Sequence, residues 1–183
     1  MPELEAMLQQ QPVELDPPYA KFIEVAAHGA RIKPGTLRGM AARGEAWAAG
    51  ATLRKGQRFR KYNLIDVIRL AFQIELAQGI SMGPKASKAV LERVFDKHWI
   101  TRDPSLPDAA FRLAEFKTQA LLIVRDETPT GYEARLVEER QYKNLLARKL
   151  NPYSTGRAAI LVPLGPIVGD VLTRLQVACR RPK

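Results

Sequence analysis

The stretch that follows Asn63 sets the terms for the whole chain. Leu64, Ile65, Val67, Ile68, Leu70, Ala71, Phe72, Ile74 and Leu76 leave only Asp66, Arg69 and Gln73 as a clear polar stripe. A helix with so wide an apolar surface is buried on more than half its circumference. Asn63 caps it, and Asp66 stands three positions later in the first turn, where negative charge is favourable. Gly79 closes it. Ser81 or Gly83 caps a second helix over residues 84–98, with Ala86, Val90, Leu91, Val94, Phe95 and Trp99 facing inward. These rows are core residues and imply no cofactor role.

Upstream, residues 1–18 read as a flexible arm, rich in Gln, Glu and Pro and ending in Asp16-Pro17-Pro18. Residues 19–28 turn helical, with Tyr19, Phe22, Ile23 and Ala26 on one apolar face. Gly29 is expected to end that helix. A short connector follows, and Pro34 suits the first turn of another helix over residues 34–43. Its inner face is Leu37, Met40 and Ala41, and Gly44 is its stop. Two short helices joined by a tight turn are a helix-turn-helix candidate. The outer face of the second offers Lys33, Thr36, Arg38 and Arg43, with charge for phosphate and an Arg fork suited to guanine edges. An ordinary helical hairpin with a basic surface fits the same pattern.

Charge distribution sharpens the choice. The 183 residues carry a net charge of +10, with 29 Lys and Arg against 19 Asp and Glu. Residues 31–61 hold nine of the basic groups and one acid, whereas residues 1–30 hold five acids and one base. Such a basic block points to a polyanionic partner. Within it, residues 45–48 and 57–62 flank a Gly-bounded loop holding Arg54, Lys55 and Gly56. The second segment alternates, with Arg58, Arg60 and Tyr62 on one side and Phe59 and Lys61 on the other. This predicts a β-hairpin, a wing whose basic tip reaches a sugar-phosphate backbone.

The order helix, turn, helix, basic wing, long helix, Gly-Ile-Ser, helix resembles the DNA-binding domain of the MerR family of bacterial transcriptional regulators. The matching residues are Thr36-Leu37-Arg38, Gly44, Arg58-Phe59-Arg60-Lys61-Tyr62, and Asn63-Leu64-Ile65-Asp66-Val67-Ile68-Arg69-Leu70. Leu76-Ala77-Gln78-Gly79-Ile80-Ser81 is similar to that family's turn into its fourth helix. The resemblance covers about residues 19–98. It implies that the second helix enters the major groove through Thr36 and Arg38, and that Arg58, Arg60 and Tyr62 grip the backbone. Lys33, Arg43, Arg54, Lys55 and Lys61 join this DNA-binding set from charge and position. Several features depart from the family. Gly39-Met40 replaces an aromatic pair, the helix-to-wing loop is richer in alanine, and the metal-sensing cysteines are absent. Residues 101–108 (TRDPSLPD) interrupt the chain where the family continues into a long dimerisation helix.

The C-terminal half has a different rhythm. Residues 119–125 (QALLIVR) form a buried-strand run, residues 126–131 a turn, and residues 132–137 a second strand. Residues 138–150 carry Tyr142, Leu145, Leu146 and Leu150 at helical spacing. Residues 158–163 read as a third strand. Gly165-Pro166 opens a last helix with Ile167, Val168, Val171, Leu172 and Leu175 on one face and an Asp170–Arg174 pair at i, i+4. The predicted class is α+β: a flexible acidic arm over 1–18, a winged helix-turn-helix over 19–100, and a small α+β domain over 109–183. So small a unit needs a partner surface, and homodimerisation is its expected role, with ligand sensing second.

Other functions find little support. The single cysteine, Cys179, excludes an internal disulfide and a thiolate cluster within one chain. His28 and His98 stand seventy residues apart, and no metal-ligand spacing links them. Residues 79–85 (GISMGPK) lack the spacing of a phosphate loop and follow a helix rather than a strand. Glu138 and Glu139 are adjacent and do not face each other. The expectation is therefore no enzyme, no cofactor and no metal. No apolar run is long enough to span a membrane, and the acidic N-terminus has no signal-like core. The function expected is sequence-specific double-stranded DNA binding by a cytoplasmic, nucleoid-associated regulator. A sequence-tolerant chromosome-organising or excisionase-type protein is the alternative.

Overall fold

A computed structural model describes residues 23–53, 56, 60–99, 118–125, 131–138 and 159–180. Among these, five α-helices and three strands occur in the order α1 (Ile23–Gly29), α2 (Pro34–Ala42), a 3-10 turn (Ala49–Ala51), α3 (Leu64–Gly79), α4 (Pro84–Trp99), β1 (Gln119–Arg125), β2 (Tyr132–Glu138), β3 (Ala159–Pro163) and α5 (Leu164–Arg180). The chain is thus a mixed α+β structure with a small antiparallel sheet. The acidic arm, the interruption at 101–108 and the helix expected over 138–150 lie outside the described residues, apart from Glu138 at the end of β2.

The two N-terminal helices end in the same hydrogen-bond pattern but with different residues. After α2, Gly44 takes a left-handed conformation (φ 68°). Its N–H donates to the Ala41 carbonyl, and that of Glu45 to the Met40 carbonyl. This is a Schellman closure, for which a residue without Cβ is suited. After α1 the left-handed residue is Arg31 (φ 59°), two positions beyond the glycine expected to serve as the stop. There the N–H of Arg31 donates to His28, and that of Ile32 to Ala27. Gly29 has another reason to be small. A Cβ on it would lie 2.6 Å from Val67 Cγ1 and 3.1 Å from Leu175 Cδ2. It is the point where α1 closes on α3 and α5.

The sheet has strand order β2-β1-β3, with both pairings antiparallel. Leu121 pairs with Leu136 and Val162, and Ile123 with Ala134 and Ile160. The unbroken apolar run of β1 follows from its central position. Leu121 and Ile123 face the main core, while Ala120 and Leu122 bury on the other face with Val137. A strand covered on both sides loses its polar alternation.

One apolar core joins the two halves of the chain. Leu37, Met40, Val67, Leu70, Phe72, Leu91 and Phe95 belong to the same buried cluster as Leu121, Ile123, Val162, Val168, Val171 and Leu175. Helix α5 packs against α1 and α3, and β2 against α4. The breadth of the apolar surface on α3 is thereby explained, because it is approached from several sides.

The polar stripe of α3 does not face solvent as its pattern suggests. Gln73 is fully buried and Asp66 is 3% exposed. Both satisfy backbone groups of the connection from α2 to α3, as buried polar side chains must. The strand expected at residues 45–48 is not formed. That segment is an irregular connection leading into the 3-10 turn, and the described part of the second expected strand, residues 60–62, is not a strand either.

Candidate nucleic-acid interface

The connection from α2 to α3 is fixed from below by α3. The Gln73 Oε1 accepts from the Trp47 N–H (2.8 Å), and its Nε2 donates to the carbonyls of Glu45 (2.6 Å) and Pro84 (2.8 Å). One amide side chain thereby ties the exit of α2 to the start of α4. The Trp47 ring packs on Phe95 at 5.2 Å between centroids, with the Arg69 guanidinium 5.4 Å from the Trp47 ring centre. Seven residues earlier along α3, Asp66 forms a capping box with Asn63. Asn63 Oδ1 accepts from the Asp66 N–H at 2.8 Å, and Asp66 Oδ2 accepts from the Asn63 N–H at 3.2 Å. The same Oδ2 accepts from the Gly50 N–H at 3.1 Å.

Gly50 is where the two arms of the connection meet. A Cβ there would overlap the Lys61 carbonyl oxygen and sit 2.6 Å from the Lys61 carbonyl carbon. The Arg60 Nε closes the junction by donating to the Ala51 carbonyl at 2.7 Å. So the basic segment expected to form a wing leaves and re-enters a fixed base at residues 50–51 and 60–62. Arg54, Lys55 and Arg58 lie outside the described residues.

Helix α2 precedes this connection in the chain. Its inner residues Leu37, Met40 and Ala41 are buried, and Lys33, Thr36, Arg38 and Arg43 are exposed, as the pattern predicts. Pro34 occupies the first turn, and Lys33 precedes it without a side-chain cap. Two of the four are already engaged. The Arg38 Nη2 donates to Glu24 Oε1 on α1 at 2.6 Å, and the Arg43 Nε to Glu45 Oε2 at 2.8 Å. Lys33 and the exposed Lys61 make no ion pair among the described residues. From α4, the Lys88 Nζ donates to the Gly44 carbonyl at 2.8 Å, bracing the end of α2.

Two expected contact residues have other tasks. Tyr62 is 1% exposed, so its ring belongs to the core and cannot grip a backbone. Its hydroxyl has no hydrogen-bond partner among the described residues, and burial pushes its pKa above the ordinary value, with Arg60 opposing and Asp66 reinforcing the shift. Arg60, half-buried, acts first as a clasp on residue 51. The sequence reading overlooked Glu24 and Glu45, whose roles depend on pairing across a turn or a helix crossing. It also overlooked Arg31, an exposed cation in the turn itself.

The described residues hold no group of three or more metal-ligating side chains and no helix long and apolar enough to cross a membrane. Comparison with known proteins finds no family model and no curated protein that matches the chain.

Proposed function

We propose that the chain is a sequence-specific double-stranded DNA-binding protein that acts as a bacterial transcriptional regulator. The observation that carries this reading is the exposure of Thr36 and Arg38 on α2, with the exposed cations Lys33 and Arg43 at its two ends. Nine residues make a helix about 13 Å long, which suits entry into the major groove. Arg38 and Thr36 read base edges, while Lys33 and Lys61 hold phosphates. The basic segment 54–61, mounted on its fixed base, lies along the backbone, and the C-terminal sheet and α5 supply a homodimer contact. A MerR-like helix-turn-helix followed by a basic segment remains part of this proposal, without the β-hairpin at the base of that segment and with Tyr62 removed from its contact set.

The test is selection of bound fragments from a bacterial genomic library at about physiological salt, where non-specific binding is weak. A few recovered sites sharing a pseudo-palindrome support a dimeric regulator. No recovery refutes the proposal. A scattering mass equal to one chain at micromolar concentration refutes the dimer. The sequence-tolerant reading is favoured by one observation: Arg43 is held by Glu45, whereas Lys33 and Lys61, the cations suited to phosphate, make no ion pair among the described residues. On that reading recovery is diffuse, and Lys33→Ala flattens the salt dependence by about one phosphate contact, a slope change of about 0.9, without changing base preference.

A further inference from the structure

The Glu24–Arg38 pair joins the outer faces of α1 and α2, fourteen residues apart in sequence. Both side chains are more than half exposed, at 54% and 58%. A pair in that position adds little to folding. Its geometry matters more for what Arg38 can do. A guanidinium offers five N–H donors in a rigid plane. The two hydrogens on Nη2 belong to different forks, one shared with Nε and one with Nη1. A single carboxylate oxygen on Nη2 therefore occupies one fork and leaves the other whole. A whole fork is what bidentate pairing with guanine O6 and N7 requires.

We infer that Glu24 is a positioning residue for Arg38, holding its guanidinium so that the free fork faces a guanine edge in duplex DNA. This rests on the DNA-binding reading above. An unrestrained Arg samples many rotamers, and ordering them opposes binding. Glu24 orders the side chain before DNA arrives, and it does so from α1, which carries no other contact in the proposed interface. Its negative charge also repels phosphates at every site alike, so it lowers overall affinity while the ordered fork supplies the base preference, which is how specificity differs from affinity.

The experiment is selection of binding sites from a random duplex library with the full chain and its Arg38→Ala, Glu24→Ala and Glu24→Gln variants. Thermal melts check that each variant is folded. The wild type is expected to prefer guanine at one position. Arg38→Ala is expected to lower that preference at least tenfold and Glu24→Ala about two- to fivefold at the same position, as suits so exposed a pair, and Glu24→Gln, whose amide oxygen still accepts, is expected to retain most of it. If Glu24→Ala instead raises affinity for all sequences and leaves the guanine preference intact, Glu24 is only a competitor for Arg38 and the inference falls. Binding by the wild type without base preference also overturns it, while leaving DNA binding standing. Failure of the wild type to bind DNA at all overturns the parent reading and this inference with it.

Discussion

Replacing Gly50 by alanine tests whether the base of the basic segment is as tightly closed as its contacts indicate. The added methyl would overlap the Lys61 carbonyl oxygen and lie 2.6 Å from its carbon and 3.0 Å from Tyr62 Cα. These neighbours are backbone atoms, so no side-chain rotation relieves the overlap. Carbon contacts are comfortable at about 3.5–4.0 Å, so the two arms must separate by roughly 1 Å or more. Separation on that scale breaks the Gly50 N–H bond to Asp66 Oδ2, now 3.1 Å. A hydrogen bond to a charged group contributes about 1.5–3 kcal/mol, and overpacking costs about 1–3 kcal/mol. The expected loss is therefore about 4 kcal/mol, or roughly 8–16 °C in melting temperature for a chain of this size. Chemical denaturation followed by far-UV circular dichroism measures it. A Gly50→Ala protein within about 1 kcal/mol of wild type would refute the close meeting of residues 50 and 61, and with it the fixed base.

Other substitutions probe neighbouring features. Arg31→Gly should stabilise the fold by about 0.5–1 kcal/mol, because the left-handed penalty of a side chain exceeds the backbone entropy that glycine adds to the unfolded state; a lower unfolding midpoint would contradict the closure of α1. Gln73→Leu keeps the size but strands the Trp47 N–H and two carbonyls, and should cost roughly 3–5 kcal/mol in denaturant titration. Tyr62 has a raised pKa in the folded state, so the unfolded chain ionises first as pH increases. Stability from this group is present below about pH 10 and is lost as pH rises through the folded value. Tyr62→Phe should leave neutral-pH stability nearly unchanged and flatten the alkaline decline; an identical pH profile for both proteins would show that the ring is not buried.

Much of the framework was legible because apolar spacing records burial directly. Helices α3 and α4, the β1–β2 hairpin and the inner face of α2 follow from it. What escaped depends on partners that spacing does not record. Asp66 and Gln73 look like a solvent stripe because their partners are backbone N–H and C=O groups of residues 45–50, which every residue possesses. The alternation of residues 57–62 suggested a strand, yet the described end of that segment is pinned by Arg60 and by burial of Tyr62 instead. Gly29 looked like a helix stop, since sequence alone does not separate a glycine needed for its φ from one needed for the neighbour pressed against it. At α2, the exposure of Lys33, Thr36, Arg38 and Arg43 was legible from pattern, but the carboxylates holding Arg38 and Arg43 were not, because charge counts carry no geometry.

The contact of Gly29 with both Val67 and Leu175 also bears on how the protein comes off the ribosome. Helix α1 is among the first described elements to be synthesised and α5 is the last. The cleft that receives Leu175 cannot be filled until α5 has cleared the exit tunnel. A nascent chain carrying α1 to α4 therefore has an unfinished core and an exposed apolar flank on α3. Contacts so distant in sequence also form slowly, since a long loop must close before they contribute. The α1–α2 pair thus gains its final rigidity only after translation of α5, and a chain truncated before that point is expected to be handled by chaperones or degraded.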